Sequence, residues 1–207
     1  MRKSILLAAL LSVAGCAART SDKNTQTVQP VQMTDQEWQV APAQSSVHFI
    51  SIKKGKIGEK HDITGLSGRI GRDGKATVHL ALNSVETHID IRNERMRKFL
   101  FETDQWPEAV ITASLNPKDY AGLASGQRVH KTIDVHVSLH GQEQDYEVPV
   151  WVSALAANKV LVESDGPILV EAADFGLEAG VEKLRELANL PEISPVVPVS
   201  FSLVFTH

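Results

Sequence analysis

The segment that decides the fold is residues 129–140, which read VHKTIDVHVSLH. Every second residue from Val129 to Leu139 is apolar apart from Lys131, and the residues between them are His, Thr, Asp or Ser. Residues 197–205 and 78–82 follow a similar rule. Successive side chains of a β-strand point to opposite faces of the sheet, so each run predicts a strand with one apolar face and one more polar face.

Further runs of this kind bring the number of predicted strands to about eight or nine, mostly antiparallel. Arg72-Asp73-Gly74-Lys75 and Gly141-Gln142 predict tight turns between neighbouring strands. A sheet of this size with one consistently apolar face usually curls and closes, which also removes its edges. We therefore expect a mainly all-β fold, an antiparallel barrel of about eight strands. The glycines at 65, 68 and 71 predict a bend at a barrel corner.

Two short helices interrupt the predicted strands. The first spans residues 91–101, with Met96, Phe99 and Leu100 on its apolar side and Asp90 as its N-cap residue. The second spans residues 181–190 and ends before a proline. Helices of this size either plug the mouth of a barrel or simply cover its end, and the sequence leaves both readings open.

The only cysteine, Cys16, follows a segment typical of an export signal. Residues 1–4 include the basic pair Arg2 and Lys3, and the largely apolar run at 5–13 is far shorter than the roughly 20 residues of a membrane-spanning helix. Val13-Ala14-Gly15-Cys16 resembles the bacterial lipobox, in which signal peptidase cuts before a cysteine that becomes acylated. The alternative is a conventional secretory signal with a cysteine at its cleavage site.

The lipobox resemblance divides the chain into three parts. We expect residues 1–15 to form a lipoprotein signal peptide, residues 16–36 the acylated Cys16 and a flexible tether, and residues 37–207 one β-barrel domain. Ala17, rather than aspartate, follows the cysteine, which in the lipoprotein pattern favours the outer membrane. The expected location is therefore the cell envelope, as an outer-membrane lipoprotein that faces the periplasm and is held by its N-terminal acyl chains.

The net charge and the absence of known catalytic motifs argue against two classes of function, nucleic-acid binding and catalysis. Removal of residues 1–15 leaves 19 of the 21 basic residues against 25 acidic residues, a formal net charge of −6, which weighs against nucleic acid as a partner. The chain has no P-loop, no dinucleotide-binding glycine motif, no HExxH zinc motif and no GxSxG nucleophile elbow. A lone cysteine excludes an intramolecular disulfide and zinc sites built on several cysteines. We therefore expect no enzymatic activity and no cofactor.

Eight histidines invite a hypothesis of metal binding or acid–base catalysis. At about 3.3 Å per strand residue, His130 and His136 lie roughly 20 Å apart and His136 and His140 roughly 13 Å apart, too far to share one ion. We therefore expect solvated surface histidines and no metal site. A convergence of His79 with His136 from neighbouring strands stays open.

The predicted first helix carries the one local concentration of positive charge, Arg92, Arg95, Arg97 and Lys98. Beside a barrel mouth, Arg92 and Arg95 are candidates for binding a phosphate or pyrophosphate head group, since guanidinium groups match the geometry of phosphate oxygens. The alternative is a solvated helix face on which Glu94 pairs with Lys98.

Short motifs in a fixed order resemble those of one bacterial family. They are WQVAPAQSSVHF at 38–49, Ser84-Val85-Glu86-Thr87 followed by Arg92-Asn93-Glu94-Arg95-Met96, Trp106-Pro107-Glu108-Ala109, Val137-Ser138-Leu139-His140-Gly141 and Asp174-Phe175-Gly176. These motifs span nearly all of residues 38–205, and the chain is similar to the YceI-like, polyisoprenoid-binding domains. Two features depart from the family pattern. His140 replaces a small polar residue before the hairpin glycine, and residues 178–195 carry a longer helix.

The resemblance implies an extended, lipocalin-like antiparallel barrel whose apolar lumen holds a long isoprenoid lipid. The lipid would be of the polyprenyl phosphate type or an isoprenoid quinone. A carrier of this kind needs a shaped apolar cavity and no nucleophile. From polarity, we expect seven residues to face the lumen and line the ligand: Val47, Phe49, Val135, Val137, Val199, Phe201 and Leu203.

Two other function classes stay open. A non-catalytic adhesion or assembly module of the cell envelope would have a packed barrel with no room for a ligand. A histidine-dependent enzyme or metalloprotein would need histidines that converge in space. A homodimer is compatible with the sequence.

Overall fold

The computed structural model describes residues 30–31, 36–120 and 122–207. The predicted signal peptide, the acylated Cys16 and all but a few residues of the predicted tether lie outside the described residues. None of the helices in the described part of the chain is long and apolar enough to span a membrane.

Ten strands and two short helices make up the domain. The strands are β1 (Trp38–Val40), β2 (Ser46–Lys53), β3 (Ile57–Ile70), β4 (Lys75–Glu86), β5 (Glu108–Ser114), β6 (Arg128–Leu139), β7 (Gln142–Ala156), β8 (Lys159–Ser164), β9 (Ile168–Glu171) and β10 (Val196–Thr206). The helices are α1 (Asp90–Arg95), which continues as a π-helical turn (Met96–Leu100), and α2 (Glu178–Leu187). Short 3₁₀ turns lie at Pro42–Gln44, Pro117–Tyr120 and Ala172–Phe175.

Eight strands close into a ring. Each strand from β2 to β8 pairs antiparallel with the next, and β10 pairs with both β8 and β2. The other two strands also pair with β10 and extend strands of the ring. β1 lies next to β2 along β10, with Pro42 in the break between them, and β9 lies next to β8 along β10, with Pro167 in that break. The predicted mainly all-β, extended antiparallel barrel is therefore confirmed, although these interrupted strands make it irregular.

The glycines of β3 permit a close contact with β4. The register between the two strands shifts between Ile63 and Gly65, which is the irregularity expected of a bulge. A Cβ atom at Gly68 would lie 2.5 Å from the carbonyl oxygen of Thr77, so no other residue fits there without a shift of the backbone.

The β6–β7 turn explains why a histidine stands before the hairpin glycine. His140 and Gly141 form a two-residue turn with φ values of 53° and 74°, as a type I′ turn requires. Two hydrogen bonds hold the imidazole of His140: one with the carbonyl oxygen of Phe175 (3.2 Å) and one with the carboxylate of Glu102 (2.9 Å). The histidine therefore ties the turn to the segments that cover this end of the ring.

We call this covered end the helical end. It carries α1, the π-helical turn, the Ala172–Phe175 turn and α2. A Cβ atom at Gly180 would lie 2.6 Å from the carbonyl oxygen of Phe99, which shows how closely α2 approaches the π-helical turn. Both predicted helices exist, with shifted bounds.

The predicted N-cap of the first helix is wrong. Helix α1 begins at Asp90 itself, and the N-cap residue is Ile89, which makes no side-chain capping bond. A residue inside the first turn cannot cap that turn from outside. Asp90 instead places a negative charge where the helix dipole favours it.

The opposite end, which we call the N-terminal end, is closed by apolar side chains. Trp38 is completely buried, and Tyr120 is nearly so. Val31 is also buried, and its N–H donates to the carbonyl oxygen of Leu123 at 2.9 Å. Two residues of the stretch predicted to be a flexible tether thus contact the domain: Val31 is buried, and Pro30 forms a β-bridge with Ala124.

Candidate binding cavity

A cavity of about 320 Å³ lies inside the ring. Its walls come from the inward-facing positions of the strands, such as Leu80 and Leu82 of β4 and Val148 and Val150 of β7. Thr112, Tyr120 and Tyr146 are the only lining residues with a polar side-chain group among the described residues. The cavity therefore offers an apolar environment to any molecule it holds.

All seven residues that the sequence assigned to the lumen line this cavity. Val199 pairs with Phe49 and Phe201 with Val47 across β10 and β2, while Val135 and Val137 belong to β6. The period-two pattern thus predicts correctly which face of each strand points inward. That these residues contact a ligand stays a prediction.

The helical end also contributes to the lining, which the sequence pattern did not reveal. Leu100 and Phe101 follow α1, and Phe175, Leu177 and Val181 come from the segment around the start of α2. The apolar periodicity of the two helices was the available signal, but it does not show against which part of the barrel a helix packs.

The tyrosines in the lining stay protonated. Burial raises the pKa of Tyr120, and burial together with the negative charge of Asp174 raises the pKa of Tyr146. The hydroxyl of Tyr146 is buried near the Asp174 carboxylate and has no hydrogen-bond partner at normal bonding distance within the described residues. The side chains that line the cavity are therefore uncharged.

Towards the helical end, the inward face of β2 and β3 changes from apolar to polar. Phe49 pairs with His61 and Ser51 pairs with Glu59, directly beyond the pair Val47 and Ile63. His61 is only 2% exposed, and its Nε2 lies 2.8 Å from the hydroxyl of Ser51. Burial above all, and also the positive charge of Arg92, lower the pKa of His61 to about 4, so His61 is neutral at physiological pH.

Arg92 and Arg95, the two head-group candidates, do not line the cavity. Arg92 donates to the Glu59 carboxylate at 2.5 Å and to the carbonyl oxygen of Thr87 at 2.6 Å. Lys53 lies 2.6 Å from the same carboxylate, and its hydrogen bond is the main cause that lowers the pKa of Glu59. Arg95 donates to the carbonyl oxygen of Leu187 at the end of α2, at 3.3 Å. A role of either arginine in head-group binding stays a prediction.

The Glu94–Lys98 ion pair of the alternative reading is not formed in the described part of the chain, where the ammonium group of Lys98 lies 5.2 Å from the centre of the Phe99 ring. Glu94 and Lys98 are both exposed, as that reading of a solvated helix face expects. The π-helical winding of Met96–Leu100 rotates Lys98 away from the position that an α-helix would give it.

The motif at 84–87 and 92–96 has a structural role. Ser84 accepts a hydrogen bond from the N–H of Gly65 (2.7 Å), and the side-chain oxygen of Asn93 accepts one from the N–H of Thr87 (2.8 Å). The amide of Asn93 donates to Glu86 at 3.0 Å. The bond of Ser84 joins β4 to β3, and the bonds of Asn93 join the end of β4 to α1 and so position the segment that covers the cavity.

The histidines on the outer wall do not converge. His79 and His136 lie on β4 and β6, which are separated by β5, and they contact Glu108 (3.1 Å) and Asp145 (2.8 Å). The hydrogen bond with Asp145 raises the pKa of His136. No group of three potential metal ligands occurs within residues 30–31, 36–120 and 122–207.

A closed antiparallel ring around an apolar cavity defines a lipocalin-like barrel. The model of the YceI-like domain family matches residues 38–205, and the chain belongs to this family. The family prediction made from the motifs is therefore confirmed. No curated protein sequence matches the chain.

Solved structures agree with this assignment. The chain is 38% identical to a polyisoprenoid-binding domain from Saccharophagus degradans that is implicated in plant cell wall breakdown, with a TM-score of 0.80 over 82% of this chain and 97% of that one. Burkholderia cenocepacia BcnA (16% identity, TM-score 0.62, 80% and 98% covered) and the Campylobacter jejuni YceI protein (13%, 0.55, 75% and 90%) share the fold.

Proposed function

We propose that this protein is an envelope lipoprotein that binds a long isoprenoid lipid inside its barrel. The observation that carries the proposal is the cavity of about 320 Å³ with its almost wholly apolar lining. The 38% identical domain is described as polyisoprenoid-binding, which supports the choice of ligand class. The lipobox-like sequence before Cys16 supports the acyl anchor.

The cavity is large enough for a short stretch of an isoprenoid chain. Its volume of about 320 Å³ equals the liquid volume of roughly ten water molecules. A methylene group occupies nearly the volume of a water molecule in the liquid, so the cavity suits about two isoprene units. Each buried methylene contributes about 0.8 kcal/mol, which makes the chain rather than the head group the main source of affinity.

The head group has to lie outside the apolar part of the cavity if it is charged. A phosphate ion in an uncharged lining would lose its hydration without compensation, whereas a quinone ring carries only neutral carbonyl acceptors. The hydroxyl of Tyr146 is a hydrogen-bond donor in the lining that suits such an acceptor, in competition with the nearby Asp174 carboxylate. The two ligand types therefore differ in where their polar ends lie.

Native mass spectrometry of residues 17–207, produced without the acyl anchor in a bacterial envelope, tests the ligand. We expect a co-purified lipid, identified after extraction as a polyprenyl phosphate or a quinone. Val137→Trp fills the lumen and should abolish the bound lipid, whereas Ser138→Trp on the outer face of the same strand should not. Wild-type protein that is folded yet free of lipid would contradict the proposal.

The anchor is tested on the full chain. We expect the mature wild-type protein to begin at Cys16 and to carry acyl chains in its N-terminal peptide, and Cys16→Ser to lack them. A mature N-terminus without acyl groups would leave the ligand proposal standing and remove the lipoprotein part.

A further inference from the structure

Exposed apolar side chains concentrate at the helical end. Five large apolar side chains are exposed among the described residues. Three of them lie at this end: Ile57 at the start of β3, and Ile89 and Ile91 at the start of α1, with 44%, 48% and 52% of their surface exposed. Single exposed apolar residues are common, so the grouping of three is the informative feature.

Hydrogen bonds hold the two segments that carry these isoleucines side by side. Arg92, next to Ile91, donates to Glu59, and Glu59 stands two residues beyond Ile57 on the same face of β3. The tip of the β2–β3 hairpin is fixed further by the N–H of Ser194, which donates to the carbonyl oxygen of Ile52 at 2.8 Å. The isoleucines therefore belong to one surface, which we call the basic isoleucine surface and define as residues 53–60 and 89–98.

This surface is positive although the protein is negative. Residues 53–60 contain four lysines and one glutamate, and residues 89–98 contain three arginines and one lysine against Asp90 and Glu94. The two segments together carry a formal charge of +5, whereas the whole chain carries −4. The rest of the chain is therefore at −9. Glu192 contributes one negative charge to this surface, because its carboxylate would lie 3.3 Å from a Cβ atom at Gly55, and the surface with Glu192 included carries +4.

We infer that the basic isoleucine surface docks on an anionic phospholipid bilayer. Isoleucine side chains at a membrane surface enter the boundary between head groups and acyl chains, and nearby lysines and arginines contact lipid phosphates. This contact is separate from the N-terminal acyl anchor, because β1 and Val31 lie at the opposite end of the barrel. The inference builds on the proposed function, since docking would place the covered end of the cavity against the bilayer that supplies or receives the lipid.

Vesicle co-sedimentation tests the inference on residues 17–207, which lack the acyl anchor. The solved Saccharophagus domain, 97% of which is covered by this chain, adopts the same fold as a separate chain, which supports the use of residues 17–207. We expect binding to vesicles of phosphatidylglycerol and phosphatidylcholine at least tenfold tighter than to phosphatidylcholine alone. Binding should weaken as salt rises, because salt screens exposed charges.

Matched pairs of variants distinguish docking by this surface from non-specific binding of the protein to vesicles. Lys54→Glu with Lys56→Glu should weaken vesicle binding about tenfold or more, since each basic residue near an anionic surface contributes substantially. The same reversal at Lys75 and Lys118, at the N-terminal end, should change binding less than twofold. Ile57→Ser with Ile91→Ser should weaken binding about tenfold, whereas Leu155→Ser, with 45% exposure at the N-terminal end, should not.

Thermal unfolding confirms that each variant is folded, and native mass spectrometry reports the bound lipid in the same samples. A wild-type chain that retains lipid but does not bind anionic vesicles would overturn the docking inference alone. Charge reversal at Lys75 and Lys118 that weakens vesicle binding as much as charge reversal at Lys54 and Lys56 would overturn it as well. Vesicle binding by a chain with an empty cavity would support docking and contradict the proposed lipid-binding function.

Discussion

The two ends of the barrel are closed in different ways. At the N-terminal end Trp38 is completely buried, and its ring meets that of His207 edge-on at 4.4 Å. The polar side chains that are buried among the described residues, His61, Thr87 and Asn93, all lie at the helical end. Both ends pack apolar side chains, and Phe175 is completely buried at the helical end, but the helical end adds hydrogen bonds among buried polar groups.

This difference indicates where the cavity opens. Opening either end exposes apolar surface to water. At the helical end, part of the closure comes from hydrogen bonds that can be exchanged for bonds with water, and each of these contributes only about 0.5 to 1.5 kcal/mol. We therefore expect the helical end to open locally at a lower free energy than the N-terminal end. Leu100, Phe101 and Val181 cover the cavity there, so lipid exchange is expected at that end.

The largest effect is expected at the apolar end. Trp38→Ala should lower the free energy of unfolding by about 3 to 5 kcal/mol, because it empties a completely buried site. Its indole N–H has no hydrogen-bond partner in the described residues, so the loss is one of packing. Urea unfolding measures it. Trp151→Ala is the control, since Trp151 lies on the outer wall with the Arg128 guanidinium 4.0 Å from its ring, and should cost about 1 kcal/mol. Similar losses in the two variants would contradict the packing argument.

The next effect is a pH dependence at the polar end. The pKa of native His61 is about 4 and that of an unfolded histidine is 6.5, so the unfolded chain binds the proton first as pH falls. The stability from neutral His61 is complete above pH 6.5 and falls by about 3 kcal/mol as pH drops to about 4. The free energy of unfolding should therefore decrease as the pH is lowered from 6.5 to about 4.

Two variants test whether His61 causes this dependence of the unfolding free energy on pH. His61→Gln should flatten it over the same range, because glutamine does not titrate. His136→Gln should leave it in place, since the hydrogen bond with Asp145 raises rather than lowers the pKa of His136. If the pH dependence of stability were unchanged in His61→Gln, another titrating group would be its cause.

A smaller effect is expected for the bonds that tie β4 to α1. Asn93→Ala removes the acceptor of the Thr87 N–H and leaves a buried donor unpaired, which should cost about 1 to 3 kcal/mol. Hydrogen exchange should quicken at α1 and in the π-helical turn, and remain slow at β1. Asn83→Ala, at an exposed position, is the control and should change stability by less than about 0.5 kcal/mol. If Asn93→Ala made hydrogen exchange faster by the same factor along the whole chain, the expectation that the helical end opens locally would be contradicted.

The wall of the barrel was predictable from the sequence, and the helical end was not. Alternation gave the inward face of β6 and β10 because side chains of a strand alternate whatever surrounds them. The hairpin turns and the closure followed from glycine positions and from the cost of free edges. The contact of Arg92 with Glu59, by contrast, joins residues 33 positions apart, and no local pattern encodes such a pair.

The errors at the helical end have local physical causes. Asp90 became the first residue of its helix instead of the cap, and the change to π-helical winding separated Glu94 from Lys98. His140 stood out in the sequence as a departure from the family, and the structure gives it a role in joining a turn to Glu102 and Phe175. A residue that departs from the family pattern thus makes tertiary contacts, as the motif residues Ser84 and Arg92 also do.

The smallest expected effect lies on the outer wall, between the two ends. His130 and Asp165 are joined at 2.9 Å, and 42% and 48% of their side-chain surfaces are exposed. Asp165→Asn should change the free energy of unfolding by less than about 0.5 kcal/mol, because water replaces the lost contact. This variant and Asn93→Ala each remove one polar partner, so a comparison of their unfolding free energies isolates the contribution of burial. A cost at Asp165 as large as that at Asn93 would mean that burial is not what makes the helical end depend on its hydrogen bonds.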